Sequence, residues 1–153
     1  MKAAGQQSAT HFHFIARALI VDAGQILLAR ERGAKNTFLP GGHIEWGEGA
    51  ADALQRELHE ELGTTCRIGA FLGAAENHWV DEAGSHAEIN LVFEAACSAL
   101  TAGEPVISQE AQLEFLWVQM ESTAEYGLLP EALQEIGAAG GDGWRAFWGS
   151  DYA

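Results

Sequence analysis

The sequence predicts an α/β sandwich, a largely extended chain flanked by two helices. Five apolar stretches read as strands, at 12–21, 25–30, 67–75, 86–97 and 113–118, and only 50–62 and 130–137 read as helix. Strands therefore outnumber what a strict βαβ alternation would supply, and such a pattern favours helices layered on a sandwich.

Residues 1–10 are small and polar and read as a flexible N-terminus, leaving 11–153 as one domain. The run 12–21 is rich in apolar residues, Asp22-Ala23-Gly24 has turn chemistry, and 25–30 resumes the apolar pattern, so the two runs are expected to form a hairpin. A polar loop follows at 31–36. Phe38-Leu39-Pro40 is extended, because a residue before proline is pushed out of the helical region. From 50 to 62, Ala51, Leu54, Leu58 and Leu62 fall at i, i+3, i+7 and i+11, a single helical stripe that Gly63 terminates. Glu57 and Glu61 sit on the edge of that stripe, with Glu60 beyond them. The later strands are joined by loops at 81–85 and around Glu104-Pro105. A second helix is expected to start near Pro130, since proline suits a first helical turn, and to run to about Gly137. The tail, with Trp144, Phe147, Trp148 and Tyr152, suits a docked segment or a homodimer contact equally.

The 153 residues carry 22 acids against 8 bases, a formal charge of −14. Binders of nucleic acid polymers rely on basic stripes that displace counterions, so this balance argues against one. An anionic substrate would need a metal bridge. No run approaches the length of a membrane span, and the N-terminus lacks the apolar core of a signal peptide, which points to a cytoplasmic protein. Cys66 and Cys97 lie in apolar contexts without CxxC spacing and read as buried free thiols.

The chemistry concentrates between Gly42 and Thr64. Three carboxylates, Glu57, Glu60 and Glu61, share one short helix with Arg56, behind the glycine-rich Pro40-Gly41-Gly42. Like charges at helical spacing repel by roughly 0.2–0.5 kcal/mol per pair, so a divalent cation is the natural compensation. Hard cations such as Mg²⁺, or Mn²⁺ in its place, bind carboxylate oxygens, neutralise phosphate charge and activate water. Glycines let the backbone come close enough for a carbonyl to join the ligands. A solvated acidic face is the alternative reading, but it leaves the spacing of the residues without a reason.

Residue by residue the segment runs Gly42, five residues, Glu48, seven residues, then Arg56-Glu57-Leu58-His59-Glu60-Glu61-Leu62-Gly63. This resembles the Nudix box, and every fixed position matches except the last, where Thr64 replaces a bulky aliphatic residue. Leu39-Pro40-Gly41-Gly42 precedes the box as is usual in that family. The resemblance implies a Nudix fold, an α/β/α sandwich with a mixed sheet, and a MutT-like, Mg²⁺-dependent pyrophosphatase. It implies Glu60, Glu61 and the Gly41 carbonyl as metal ligands, with Glu57 as a further ligand or the general base. Arg56 and Glu48 would support them, Arg56 by a bidentate carboxylate contact. Family members often add a glutamate from a later loop; Glu110 is favoured here over Glu114 and Glu88.

For the substrate, Arg30, Arg32 and Lys35 gather three of the eight bases just before the box, as phosphate contacts or as solubilising loop charges. Trp79, beside Asn77 and His78 where a strand gives way to a loop, suits stacking on a nucleobase or a place in the core. His86, opening the next strand, reads as structural more readily than catalytic. Trp79 and Val80 stand where a proline marks ADP-ribose enzymes or a tyrosine marks dinucleoside polyphosphate enzymes, so neither class is indicated. P-loop, dinucleotide-fold and zincin patterns are absent. The expected activity is hydrolysis of a nucleoside diphosphate linked to another group. The competing reading is a nucleotide-binding sensor that keeps the fold without the chemistry.

Overall fold

The computed structural model describes residues 8–136 and 145–152. Its strands are β1 (Thr10–Leu19), β2 (Val21–Asp22), β3 (Gln25–Glu31), β4 (Gly41–His43), β5 (Arg67–Asp81), β6 (Gly84–Ala96), β7 (Leu113–Gln119) and β8 (Phe147–Ser150), with α1 at Ala50–Leu62. A five-stranded sheet has the order β4-β1-β6-β5-β8 and a three-stranded sheet the order β2-β3-β7. The larger sheet is mixed, since β1 runs parallel to β6 and β5 parallel to β8.

The first expected hairpin is shorter than its sequence suggested. Only Val21 and Asp22 pair with Ile26 and Gln25, while β1 belongs to the other sheet and lies between β4 and β6. The chain thus crosses between sheets at Ile20. Ala23 and Gly24, both at positive φ, make the turn that follows.

Alternation along the strands divides the core into two layers. Ala16, Ala18, Ile20, Leu27 and Ala29 face Leu54, Leu58 and Leu62, the apolar stripe of α1. Leu19, Ile26, Leu28, Val92 and Val118 face Leu39, Leu128, Leu133 and Ile136 on the other side. Gly63, left-handed at φ 67°, ends α1 by donating its N–H to the His59 carbonyl, as its position after the stripe predicts.

The second layer is not the expected helix. Pro130 is followed by a single 3₁₀ turn, Glu131–Leu133, and Gly137, where the helix was expected to end, lies outside the described residues. Leu133 and Ile136 anchor this short segment individually, and so few residues cannot repay helix nucleation. Asp151 accepts bonds from the N–H groups of Glu131 and Ala132, capping the turn from the tail. With β8 paired to Gly73–Glu76 of β5, the described part of the tail is docked on its own chain; Trp144 lies outside the described residues.

Two sequence expectations fail along β5 and β6. Instead of two shorter strands and a loop at 81–85, these strands form one long hairpin with only Glu82 and Ala83 between them. Asn77, His78 and Trp79 therefore lie within a strand. Cys66 and Cys97 are not free thiols but are joined in a disulfide. Arg67 pairs with Ala96, so the preceding and following cysteines face each other across the open end of the hairpin.

Candidate active site

The glycines that precede α1 allow its acids to reach the sheet edge. Gly41 adopts φ 138°, and a Cβ there would collide with the Ala16 carbonyl. A Cβ on Gly42 would collide with the Glu57 carboxylate, which lies against the bare backbone of β4. Gly41 therefore requires glycine, and a side chain at Gly42 would displace the Glu57 carboxylate.

Arg56 organises the outer acids. Its Nε and Nη2 form a bidentate pair with Glu48, at 2.7 and 3.0 Å, its Nη1 reaches Glu57 at 3.0 Å and Glu60 at 3.4 Å, and Nη2 donates to the His43 carbonyl. The paired guanidinium holds the Glu48 carboxyl well below the usual carboxylate range. The Glu60 side chain is about half exposed, at 49%, whereas that of Glu57 is largely covered, at 17%.

Glu61 has a different environment. Only 4% of the residue is exposed, and its Oε2 is buried without a hydrogen-bond partner. Burial pushes its carboxyl up to about 8; Arg17 and the Gly41 backbone oppose the rise, and Glu57 and Glu110 add to it. A buried carboxylate with one oxygen left unpartnered is one that a cation would stabilise.

Arg17, in the middle of β1, was not singled out by the sequence. Its Nη1 donates to the Leu39 and Gly41 carbonyls at 3.1 and 3.3 Å, its Nε donates to Asn90, and the guanidinium lies over the Phe38 ring. Asn90 in turn donates to the buried Glu88. Arg17 is thus the interior counter-charge to Glu61, Glu57 and Glu88. A signal was available in Ile15-Ala16-Arg17-Ala18-Leu19, where an arginine interrupts a run that must be buried.

Of the three later glutamates, Glu110 and Glu88 come near this group, and Glu114 is engaged elsewhere. The Gln109 N–H bonds the Glu61 carbonyl, clamping the loop that carries Glu110 against the end of α1. Glu114 accepts from Arg30 at 2.7 Å, and Arg32 approaches it at 3.8 Å while donating to the Ala111 carbonyl. Arg30 and Arg32 are therefore held beside the Glu110 loop. Lys35 is exposed.

Trp79 lies on the sheet face that carries Arg17 and Glu88. Its indole is parallel to the His86 ring, within 4° at 4.7 Å, and nearly parallel to the His13 ring at 5.4 Å, with Nε1–H donating to Asp81. His13, His43 and His86 bond ring to ring at 2.9 Å, and His86 continues to Asp81 at 3.0 Å. No local pattern along the chain places residues of β1, β4, β5 and β6 in one row.

Among the described residues, no three acid, histidine or cysteine side chains converge tightly enough to enclose a metal by themselves. The donor set is nevertheless one a hard cation accepts: the orphaned Glu61 oxygen, Glu57 beside it, exposed Glu60 and the Gly41 carbonyl are all oxygens. Such a cation keeps waters and needs no closed protein cage.

Residues 11–137 match the family model described as the NUDIX domain. The chain belongs to the Nudix family. Among solved structures it is similar to a MutT protein from Bacillus halodurans, 22% identical with TM-score 0.68, covering 90% of this chain and 88% of that one. It is also similar to a MutT protein from Methanosarcina mazei Go1, 22% identical with TM-score 0.62, covering 84% and 91%. A MutT NUDIX hydrolase from Burkholderia pseudomallei is 27% identical with TM-score 0.55, covering 71% of this chain and 84% of that one. No curated protein matches. These likenesses establish the Nudix fold, an α/β sandwich with a mixed sheet, in which one side is layered by α1 and the other by the segment around the 3₁₀ turn Glu131–Leu133.

Proposed function

We propose that the protein is a Mg²⁺-dependent hydrolase that cleaves the pyrophosphate bond of nucleoside diphosphate-linked substrates. What supports this reading is the oxygen-only group where α1 meets β4, above all the buried, half-partnered carboxylate of Glu61 beside Glu57 and the Gly41 carbonyl. Glu57, Glu60, Glu61 and Gly41 would hold the metal, with Glu110 joining from its loop. Bound there, Mg²⁺ would neutralise phosphate charge and make water a competent nucleophile at neutral pH.

The chain's own residues divide the remaining work. Arg56 fixes the rotamers of Glu48, Glu57 and Glu60 by charge-assisted bonds, so these acids meet substrate pre-oriented. Glu57, or Glu110, takes the proton from water. Arg30 and Arg32 steady the phosphates from the Glu110 side, and Trp79 takes the base. Arg17 keeps the Gly41 carbonyl in place and offsets the buried acids from behind.

The test is hydrolysis of a panel of nucleotides and nucleotide conjugates with Mg²⁺, following phosphate and monophosphate release. Glu57→Gln should lower kcat by roughly 10²- to 10⁴-fold, the range for loss of a general base, with much less change in KM. A panel that binds without turnover would refute the hydrolase. Glu110→Gln should lower kcat by about 10² or more if its loop supplies the base. An unchanged rate in that variant removes Glu110 from the mechanism.

A further inference from the structure

A cleft of about 510 Å³ opens on the sheet face between Arg17 and Trp79, within the size range of sites for small ligands. Its floor at one end is the indole of Trp79. That ring is fixed from two directions, by its bond to Asp81 and by lying flat on the His13–His86 pair. The imidazole row closes with one proton per ring. His86 donates Nε2–H to Asp81, His13 donates Nε2–H to His86 Nδ1, and His43 donates Nε2–H to His13 Nδ1. Burial, reinforced by His43 and His86, lowers the proton affinity of His13. The plate is thus a fixed aromatic surface, suited to stacking on a heterocycle.

The walls are unequal in polarity. Glu31, Asp81 and Glu88 line the cleft with carboxylates, against the single cation Arg17. Arg17 commits Nε and Nη1 to Asn90, Leu39 and Gly41, so Nη2 and the amides of Asn36 and Asn77 are the donors set against the three carboxylates. Asp81 and Glu88 each accept bonds from the protein but, as carboxylates with about four lone-pair sites, keep room for more. A ring on Trp79 therefore meets hydrogen-bond acceptors in excess. Amino groups satisfy them, and carbonyl oxygens brought against them go unpaired.

We propose that this cleft selects nucleotides whose base carries an amino group at purine C6 or pyrimidine C4, adenine or cytosine, over the carbonyl counterparts hypoxanthine and uracil. The inference rests on the reading of the substrate as a nucleotide, and it narrows which nucleotides fit. Two nearly isosteric pairs test it, AMP against IMP and CMP against UMP, titrated calorimetrically into the intact protein. The amino member of each pair should bind about tenfold more tightly or better, because a site built for a donor rejects the analogue lacking it. Trp79→Ala should weaken binding of all four by about tenfold or more, while Trp79→Phe, which preserves a ring, should retain most of it.

Equal affinities within both pairs, or full affinity in a folded Trp79→Ala variant, would overturn the proposal. Amino-selective binding with no turnover of any diphosphate would leave it standing and sink the hydrolase. Turnover combined with indifference to the amino group would do the reverse.

Discussion

Glu61→Gln is expected to reduce hydrolysis by about 10³-fold or more, because it removes an anionic oxygen from the metal site without changing its shape. The same substitution should make the metal-free protein more stable at pH 8. The buried carboxyl is pushed up to about 8, above its ordinary 4.5, so between those values the folded protein binds a proton that the unfolded chain releases. Stability conferred by that proton is present at pH 4.5 and is lost as pH rises through the window. Glutamine keeps the shape with no charge to bury, so its metal-free stability should not fall over that window, and the gap at pH 8 should reach a few kcal/mol at most. Denaturation midpoints at pH 5 and pH 8, each with and without Mg²⁺, provide the check. Mg²⁺ should stabilise the parent at pH 8 far more than the variant. A variant that loses activity and is also less stable at pH 8 without metal would show that Glu61 supports the fold instead of the metal site.

Reduction of the Cys66–Cys97 disulfide should cost about 3–4 kcal/mol of stability, from the loop-closure entropy of a bridge with sequence separation 31. The bridge ties the chain just beyond the Gly63 cap of α1 to the end of β6, at the open end of the long hairpin. Loosening it releases the C-terminal end of the helix that carries the acids. Double replacement, Cys66→Ser with Cys97→Ser, should shift the denaturation midpoint as reduction does, and reduction should then have no further effect on the variant. A midpoint unmoved by a dithiol reductant, with free thiols confirmed by titration, would mean the crosslink contributes nothing to folding.

The two cysteines mark where the sequence stopped being informative. Their pairing depends on the register of β5 with β6, and that register shifts twice, between Ile68 and Phe71 and between Phe71 and Gly73. Such irregularities leave little trace in an apolar pattern, so the hairpin's length and the meeting of Cys66 with Cys97 were hidden. The same non-local pairing carries Trp79 into a strand and stacks it on histidines from β1 and β6. The helix expected after Pro130 failed for another reason: its local signals were sound, but its apolar anchors are too few to support more than a turn.

By itself the sequence determined the helix 50–62 to the residue, its glycine stop, the acids along its edge and the glycines that precede it. These are local properties, set by a period of 3.6 and by backbone freedom within a few bonds. Only the tertiary structure decided that Glu61 is buried while Glu60 is exposed, that Arg17 is the interior counter-charge to Glu88, Glu61 and Glu57, and that Arg30 is positioned by pairing with Glu114. Burial and charge pairing arise where distant strands meet, and no spacing along one segment records what the other segments bring.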